Sequence, residues 1–346
     1  TVGVVVVAGV AYTYLGNRAA FRQQDGLERM QEGARYAFEV LDFDIRMTGF
    51  TGCTASTTAN VLNPSTEGYG NLFSQPLTGF EAGVSTFPTS IATSRLQGDA
   101  LTVLRANTAN EYIVNTHNAP SAQFDLKSTH DLKQGEILVV TDCKHAATFQ
   151  MTNVNDNNTI DEIVHNEGSV VVPGNCTKGF GLTMAGVPDC ASANGVAYAY
   201  PEGSRIFRLS GNTYFIGTNA AGQPALFRQA LTQSGGNATT IPEELVEGVE
   251  DMQITYGVDR STPADNIVDI YVAANLVTDA ATPGATDADK WRRVLSAKVS
   301  LLMRSIENNV TTEPQTYTYN NAAPTAQADR RLRKVFTTTI AVRNRL

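Results

Sequence analysis

The sequence predicts an α+β protein: one long N-terminal α-helix packed on a β-rich, mostly antiparallel head with long loops. Three observations predict it. The first seventeen residues carry no charge. An apolar stripe with helical spacing follows directly. From about residue 50 the pattern changes to short alternating segments separated by turn residues. The natural division is a helix over residues 1–48, apolar over 1–17 and amphipathic over 18–48, followed by a head over 49–346. Of the 346 residues, 42% are hydrophobic, enough for a sizeable core. Only 17% are charged, and the net charge of −8 disfavours a basic nucleic-acid-binding surface. Thr, Asn, Gly and Ser take the place of Lys and Glu, a usage that suits an extracytoplasmic β-rich protein.

The helix is justified in two parts. Residues 2–10 are almost entirely Val, Ala and Gly, and the first charge is Arg18. Val2, Val4, Val5, Val6, Val7, Val10 and Leu15 are the positions offered to lipid or to other helices. Seventeen helical residues reach about 25 Å, slightly short of a bilayer core of about 30 Å. After Arg18, the residues Leu27, Met30, Ala34, Ala37, Leu41 and Ile45 recur at steps of 3, 4, 3, 4 and 4. That is one face of a helix, expected to pack on the head. The opposite face carries Arg22, Asp25, Glu28, Arg29, Glu32, Arg35, Glu39, Asp42 and Arg46, with Glu32/Arg35, Arg35/Glu39 and Asp42/Arg46 spaced to pair. The helix is expected to stop near Thr48 and Gly49.

Strands are expected at 99–105, 135–141 and 147–154. A meander is expected over 195–200, 204–209 and 213–218, its second turn at Gly211 and Asn212. Residues 225–228 continue it. Met252, Ile254, Tyr256 and Val258 alternate, as do Val268, Ile270 and Val272. Leu295, Ala297, Val299, Leu301 and Met303 give the clearest alternation, and 334–343 are strongly β-branched. The polar stretches 54–95, 106–130, 155–195 and 273–290 read as surface loops.

Four cysteines are present, Cys53, Cys143, Cys176 and Cys190, and none forms a C-x-x-C pair. An even count in a chain of this composition indicates two disulfides in an oxidising compartment. Of the three connectivities, Cys53–Cys143 and Cys176–Cys190 is expected. The second pair would close a Gly/Pro-rich loop with few apolar residues to order it. The first would tie the end of the helix to a strand. On the chain-entropy model such loops contribute about 4.5 and about 3 kcal/mol.

Enzyme signatures are absent: no G-x-S-x-G, H-E-x-x-H, Walker A or G-x-G-x-x-G string occurs. His117, His130, His145 and His165 stand 13, 15 and 20 residues apart, which fits no standard ligand pattern. They are expected in or near polar loops, without chemistry. Residues 153–161 resemble a calcium loop in composition only, lacking the central Gly and terminal Glu; an Asx-rich turn is expected there. Residues 259–269 carry three acids interrupted by Ser-Thr-Pro. Arg330, Arg331, Arg333, Lys334, Arg343 and Arg345 are expected to solvate strand ends and balance nearby acids. No catalytic, metal or cofactor-binding residue is assigned, and no cofactor is implied.

Several strings resemble one family. They are LERMQEGARYAF at 27–38, DIRMTGFTGC at 44–53, GSRIFR at 203–208, GQPALFR at 222–228 and RRLRKVFTTTIAVRNR at 330–345. Together with the helix-then-head plan, they resemble the type IV pilus minor pilins of the PilW family. The resemblance implies a type IV pilin-like fold and a non-enzymatic role in priming pilus assembly. It implies a position at or near the filament tip, with other minor pilins, the major pilin and a PilY-type adhesin as partners. It also implies an inner-membrane stage with the head in the periplasm, then the cell-surface pilus, and so a part in twitching motility and adhesion. The family's basic leader, Gly-Phe cleavage point and early glutamate do not occur here. Thr1 would align about ten residues into the mature helix, and those residues plus the uncharged run would total roughly 27, enough to span a bilayer. Two other readings are a J-type pseudopilin of a type II secretion system and a membrane-anchored lectin-like or calcium-dependent adhesin.

Overall fold

The computed structural model describes residues 2–154, 161–320 and 325–344. A single helix, Val2–Met47, runs for 46 residues, roughly 69 Å at 1.5 Å per residue. It ends where Gly49 leaves the helical path and donates its N–H to the Leu104 carbonyl. Of the expected helix pairs, Asp42–Arg46 forms; Asp25–Arg29, not among them, forms nearer the middle of the helix. Glu32, Arg35 and Glu39 make no ion pair with one another among the described residues.

The head holds a twelve-stranded sheet, a four-stranded sheet and a two-stranded ribbon among the described residues. Every pairing is antiparallel except Thr57–Asn60, which runs parallel to His145–Gln150. The axis of the large sheet is the strand Arg205–Thr218. Its first residues pair with Ile137–Thr141 and Tyr112–Asn118, and its remainder lies between Arg95–Ala106 and Pro224–Ser234. The four-stranded sheet has the order Ile270–Val272, Val249–Val258, Val294–Arg304, Arg333–Ala341.

Two large cores result. One joins the helix stripe to the four-stranded sheet and the adjoining part of the large sheet. The other lies under residues 57–206 and centres on Phe124, Phe149 and Phe180.

Three sequence expectations give way here. The turn at Gly211 and Asn212 does not form; both residues lie inside one fourteen-residue strand. Asn212 carries a buried side chain bonded to the helix, and that contact holds the segment extended. Residues 195–200 are not a strand, contributing only the bridge between Gly181 and Val196. The stretches read as loops contain Thr57–Asn60, Leu77–Phe80, Tyr112–Asn118, Gln123–Leu126 and Glu162–Val164. These are short or strongly polar, so alternation alone does not reveal them. The strand Asn237–Glu247 was also not expected. Its hairpin turn is Gly235 and Gly236, both at positive φ, a dipeptide that signals such a turn.

Candidate functional site

The helix and its seat form the site. Met30, Ala34, Ala37, Leu41 and Ile45 are buried, and Leu27 is half-buried against the same core. They meet Arg95–Ala106, Asn237–Glu247, Val294–Arg304 and Arg333–Ala341. The small residues bring the backbones close. A Cβ on Gly33 would stand 2.9 Å from Val246 and 3.2 Å from Met303, so the helix seats only where that position is bare.

One charged contact locks this seat, and the sequence did not single it out. Asp44 is 2% exposed. Arg105 Nε donates to its Oδ1 at 2.9 Å, while Asn212 Nδ2 and Tyr214 Oη donate to its Oδ2, each at 2.6 Å. The Arg105 guanidinium also lies over the Phe43 ring, 4.9 Å from its centroid. Burial, then the Asp44 carboxylate, pushes the Tyr214 hydroxyl far above its ordinary range. Asp44 stands on the apolar stripe itself, three residues after Leu41 and seven after Ala37. That spacing was the signal available in the sequence, a carboxylate placed on the face that packs on the head.

A second carboxylate stitches the two sheets. Asp99 Oδ1 accepts the Ala82 N–H at 3.0 Å and Oδ2 accepts the Ile254 N–H at 2.8 Å. Burial raises its pKa to about 7 despite both N–H donors, and the charges of Glu81 and Asp251 push the same way. The folded state thus holds this proton at pH values where the unfolded chain has released it. Stability from this group is fully present below the ordinary carboxylate pKa and is lost as pH rises through about 7. Relative to Asp99→Asn, the wild type should lose at most about 1.4 kcal/mol per pH unit between pH 5 and 7, the slope of one proton. Urea unfolding of both proteins across that range measures it. A constant difference between them would show that Asp99 does not titrate there.

The other end of the helix is uncovered. Every described residue before Asp25 is exposed. Val6, Val7 and Val10 are 59%, 69% and 63% exposed, and Tyr12, Tyr14 and Phe21 are exposed with them. Val2, Val4, Val5 and Leu15 lie on the helix, but their side chains are outside the described residues. The overhang of residues 2–24 is about 34 Å long at the helical rise. Thr13 Oγ1 donates back to the Gly9 and Val10 carbonyls, so its hydroxyl needs no outside partner. Among the described residues, no helix is long and apolar enough to cross a membrane. Gly3, Gly9, Gly16, Tyr12, Thr13, Tyr14 and Asn17 dilute the valines, and Arg18 closes the run.

The disulfides are Cys53–Cys143 and Cys176–Cys190. The first fastens the segment after the helix to the turn between Ile137–Thr141 and His145–Gln150. The second closes the loop 176–190, which itself carries Phe180 into the core.

His117 and His145 lie on strands, while His130 and His165 lie in the segments between strands, as expected, but packed inward rather than facing solvent. His130, His145 and His165 are buried, and His117 stacks on Phe124 with centroids 4.0 Å apart. His117 and His165 meet Nε2 to Nε2 at 3.2 Å. His117 Nδ1 accepts the Tyr200 N–H, so its Nε2 carries the proton and donates to His165. Burial lowers the His117 pKa to about 4 and that of His165 far below its usual value, so both are neutral. They are core aromatics, drawn inward because Phe124, Phe149, Phe180 and Tyr200 enclose them. Alanine at these positions would therefore open a core rather than trim a surface. Among the described residues no group of three His, Cys, Asp or Glu is arranged to hold a metal ion.

Residues 155–160 of the Asx-rich stretch lie outside the described residues. In the loop 259–269, Asp259 accepts the N–H groups of Ser261, Asp265 and Asn266, which spends its carboxylate on the loop's own backbone. Of the basic tail, Arg333 is buried between Glu250 and Asp329, each at 2.6 Å, and Arg331 donates to the Ser305 and Ile306 carbonyls. Arg345 is outside the described residues.

Residues 213–344 match the family model PilW, type IV pilus-assembly protein W. The match supports the resemblance of the chain to the PilW family. The matched segment runs from the second half of the central strand, through the hairpin, to the last strand of the four-stranded sheet. It contains most of the surface that seats the helix. No curated protein matches the chain. The description of the matched family points to type IV pilus assembly.

Proposed function

We propose that the protein is a minor pilin that helps prime assembly of a type IV pilus, at or near the filament tip with other minor pilins. The observation that carries this reading is the uncovered first half of a helix, free of charge up to Arg18, whose second half is locked to a PilW-like head. An apolar surface of this length is costly in water at about 25 cal/mol per Å². Other subunits' helices can cover it, and Val, Ala and Gly permit close approach. On this reading residues 1–48 are the assembly element and 49–346 the exposed head. Before assembly the same helix keeps the head on the periplasmic side of the inner membrane; afterwards it packs beside the helices of the major pilin and other minor pilins. A PilY-type adhesin is a further partner at the tip.

Nucleating a filament requires several subunits to meet before lateral contacts become favourable. A preassembled set lowers that entropic barrier, as any tethered set raises effective concentration. Deleting the gene is therefore expected to reduce surface pili and twitching by roughly tenfold or more, at unchanged levels of major pilin in the membrane. Electron microscopy of sheared filaments and immunoblots of membranes measure both. Normal pilus numbers in the deletion strain would refute the proposal.

A further inference from the structure

We propose that the head carries a binding cleft for a neutral saccharide, built on the strand pair Leu77–Phe80 and Arg95–Ala106. The cleft encloses about 580 Å³, within the range of small-ligand sites. Its floor is one face of that pair, where Thr78 stands directly opposite Thr102 and Phe80 lies two residues along from Thr78. The opposite face of the same strands belongs to the core through Leu77, Leu101 and Val103. The floor is therefore rigid.

The walls are short turns fastened to one another. Thr89 Oγ1 donates to Thr66 Oγ1 at 3.2 Å, and Ser90 donates through N at 3.1 Å and Oγ at 2.6 Å to the two oxygens of Glu67. A second cleft of about 410 Å³ shares Thr66, Glu67 and Thr89 with the first and extends along Thr239 and Thr240 of the exposed hairpin. The two together form a trough that an oligosaccharide chain can follow.

The lining chemistry selects the ligand. Among the described residues no Lys or Arg lines either cleft, and Arg95, beside the rim, is spent on the Phe87 ring and the Gly98 carbonyl, so phosphate, sulfate and carboxylate ligands meet no counter-charge on the lining. The only carboxylate is Glu67, and both its oxygens are engaged by Ser90. What remains is neutral: the Asn71 amide, the Gln75 Oε1 and the Thr86 hydroxyl have no protein partner among the described residues. An amide offers donors and acceptors together, which matches vicinal hydroxyls. Phe80 and Phe87, with centroids 5.9 Å apart, supply an apolar rim for the C–H face of a pyranose ring. Arg95 packs over Phe87 at 3.9 Å and donates to the Gly98 carbonyl, so the ring is held in place before any ligand arrives.

The test uses the purified full chain in a detergent without a sugar headgroup. Neutral di- and trisaccharides of glucose, mannose, galactose and N-acetylglucosamine are titrated to their solubility by calorimetry and ligand-observed NMR. At least one series should bind. Asn71→Ala should weaken it roughly tenfold, the worth of about 1.4 kcal/mol of lost hydrogen bonding. Ala92→Phe, a filling substitution at an exposed rim position, should abolish it with the unfolding midpoint unchanged. Thr86→Val is a second variant that touches only the rim. Binding of no neutral saccharide, binding of acidic oligosaccharides only, or binding that survives both Ala92→Phe and Asn71→Ala would overturn the proposal. Pilus counts do not enter this readout, so its failure is distinct from failure of the assembly role.

Discussion

Asp44→Ala is expected to destabilise the fold by about 3–5 kcal/mol, the cost of removing one partner from a buried ion pair. The loss has two sources. Arg105 stays buried with its Nε unpaired, and the Asn212 amide and Tyr214 hydroxyl lose their shared acceptor. Arg105→Ala should have an effect of similar size, and the double substitution should fall well short of the sum of the two. Asp42→Ala is the control. Asp42 pairs with Arg46 on the same helix, and the two side chains are 39% and 40% exposed, so its loss should cost no more than about 0.5 kcal/mol. Denaturant unfolding of the three single variants decides it. An Asp44→Ala protein as stable as Asp42→Ala would mean that apolar packing alone seats the helix.

Val6→Asp combined with Val10→Asp should abolish pilus incorporation while leaving the isolated protein as stable as wild type. Both side chains are exposed and project from the same face one turn apart, so the monomer loses no contact. The cost appears on assembly, when each carboxylate must enter lipid or a packed helix bundle, at about 2.5–3.5 kcal/mol per charge. Unfolding midpoints of the purified proteins and immunogold counts on sheared pili separate the two effects. Incorporation of the double variant at wild-type levels would show that the overhang is not the assembly surface.

The contrast between these two substitutions follows the length of the helix. Its second half is held by contacts from distant strands, so damage there registers as instability. Its first half packs against no other element among the described residues, so damage there registers only when other molecules arrive. A single continuous helix connects the two regimes, and Gly33 lies where it approaches Val246 and Met303 of the head closely.

Much of the architecture was legible because it is local. The helix stripe is written at steps of three and four, and burial falls on Met30, Ala34, Ala37, Leu41 and Ile45. The strands Val249–Val258, Val294–Arg304 and Arg333–Ala341 were visible through alternation or β-branching. The hairpin strand Asn237–Glu247 was missed because Ile241, Pro242, Glu243 and Glu244 are exposed in succession on a strand that pairs on one side only, so no alternation registers. The saccharide cleft was hidden inside a stretch read as loop, because Leu77–Phe80 is too short for a period to register.

The sequence by itself determined a long helix with one buried face, an alternating head, two cysteine pairs and the PilW-like strings at both ends. Each of these depends on residues near one another in the chain, or on composition. Tertiary structure alone decided that Asp44 is a buried lock, that Gly211 and Asn212 run straight through a strand, and that His117 and His165 form a neutral pair in an aromatic core. Their partners stand far off in sequence: Arg105 is 61 residues from Asp44, Tyr214 is 170, and His165 is 48 from His117. A periodicity reports which face a residue occupies. Which distant group meets it there is fixed only when the sheets close over the helix and water is excluded, and that exclusion sets the charge and hydrogen bonding of every polar group left inside.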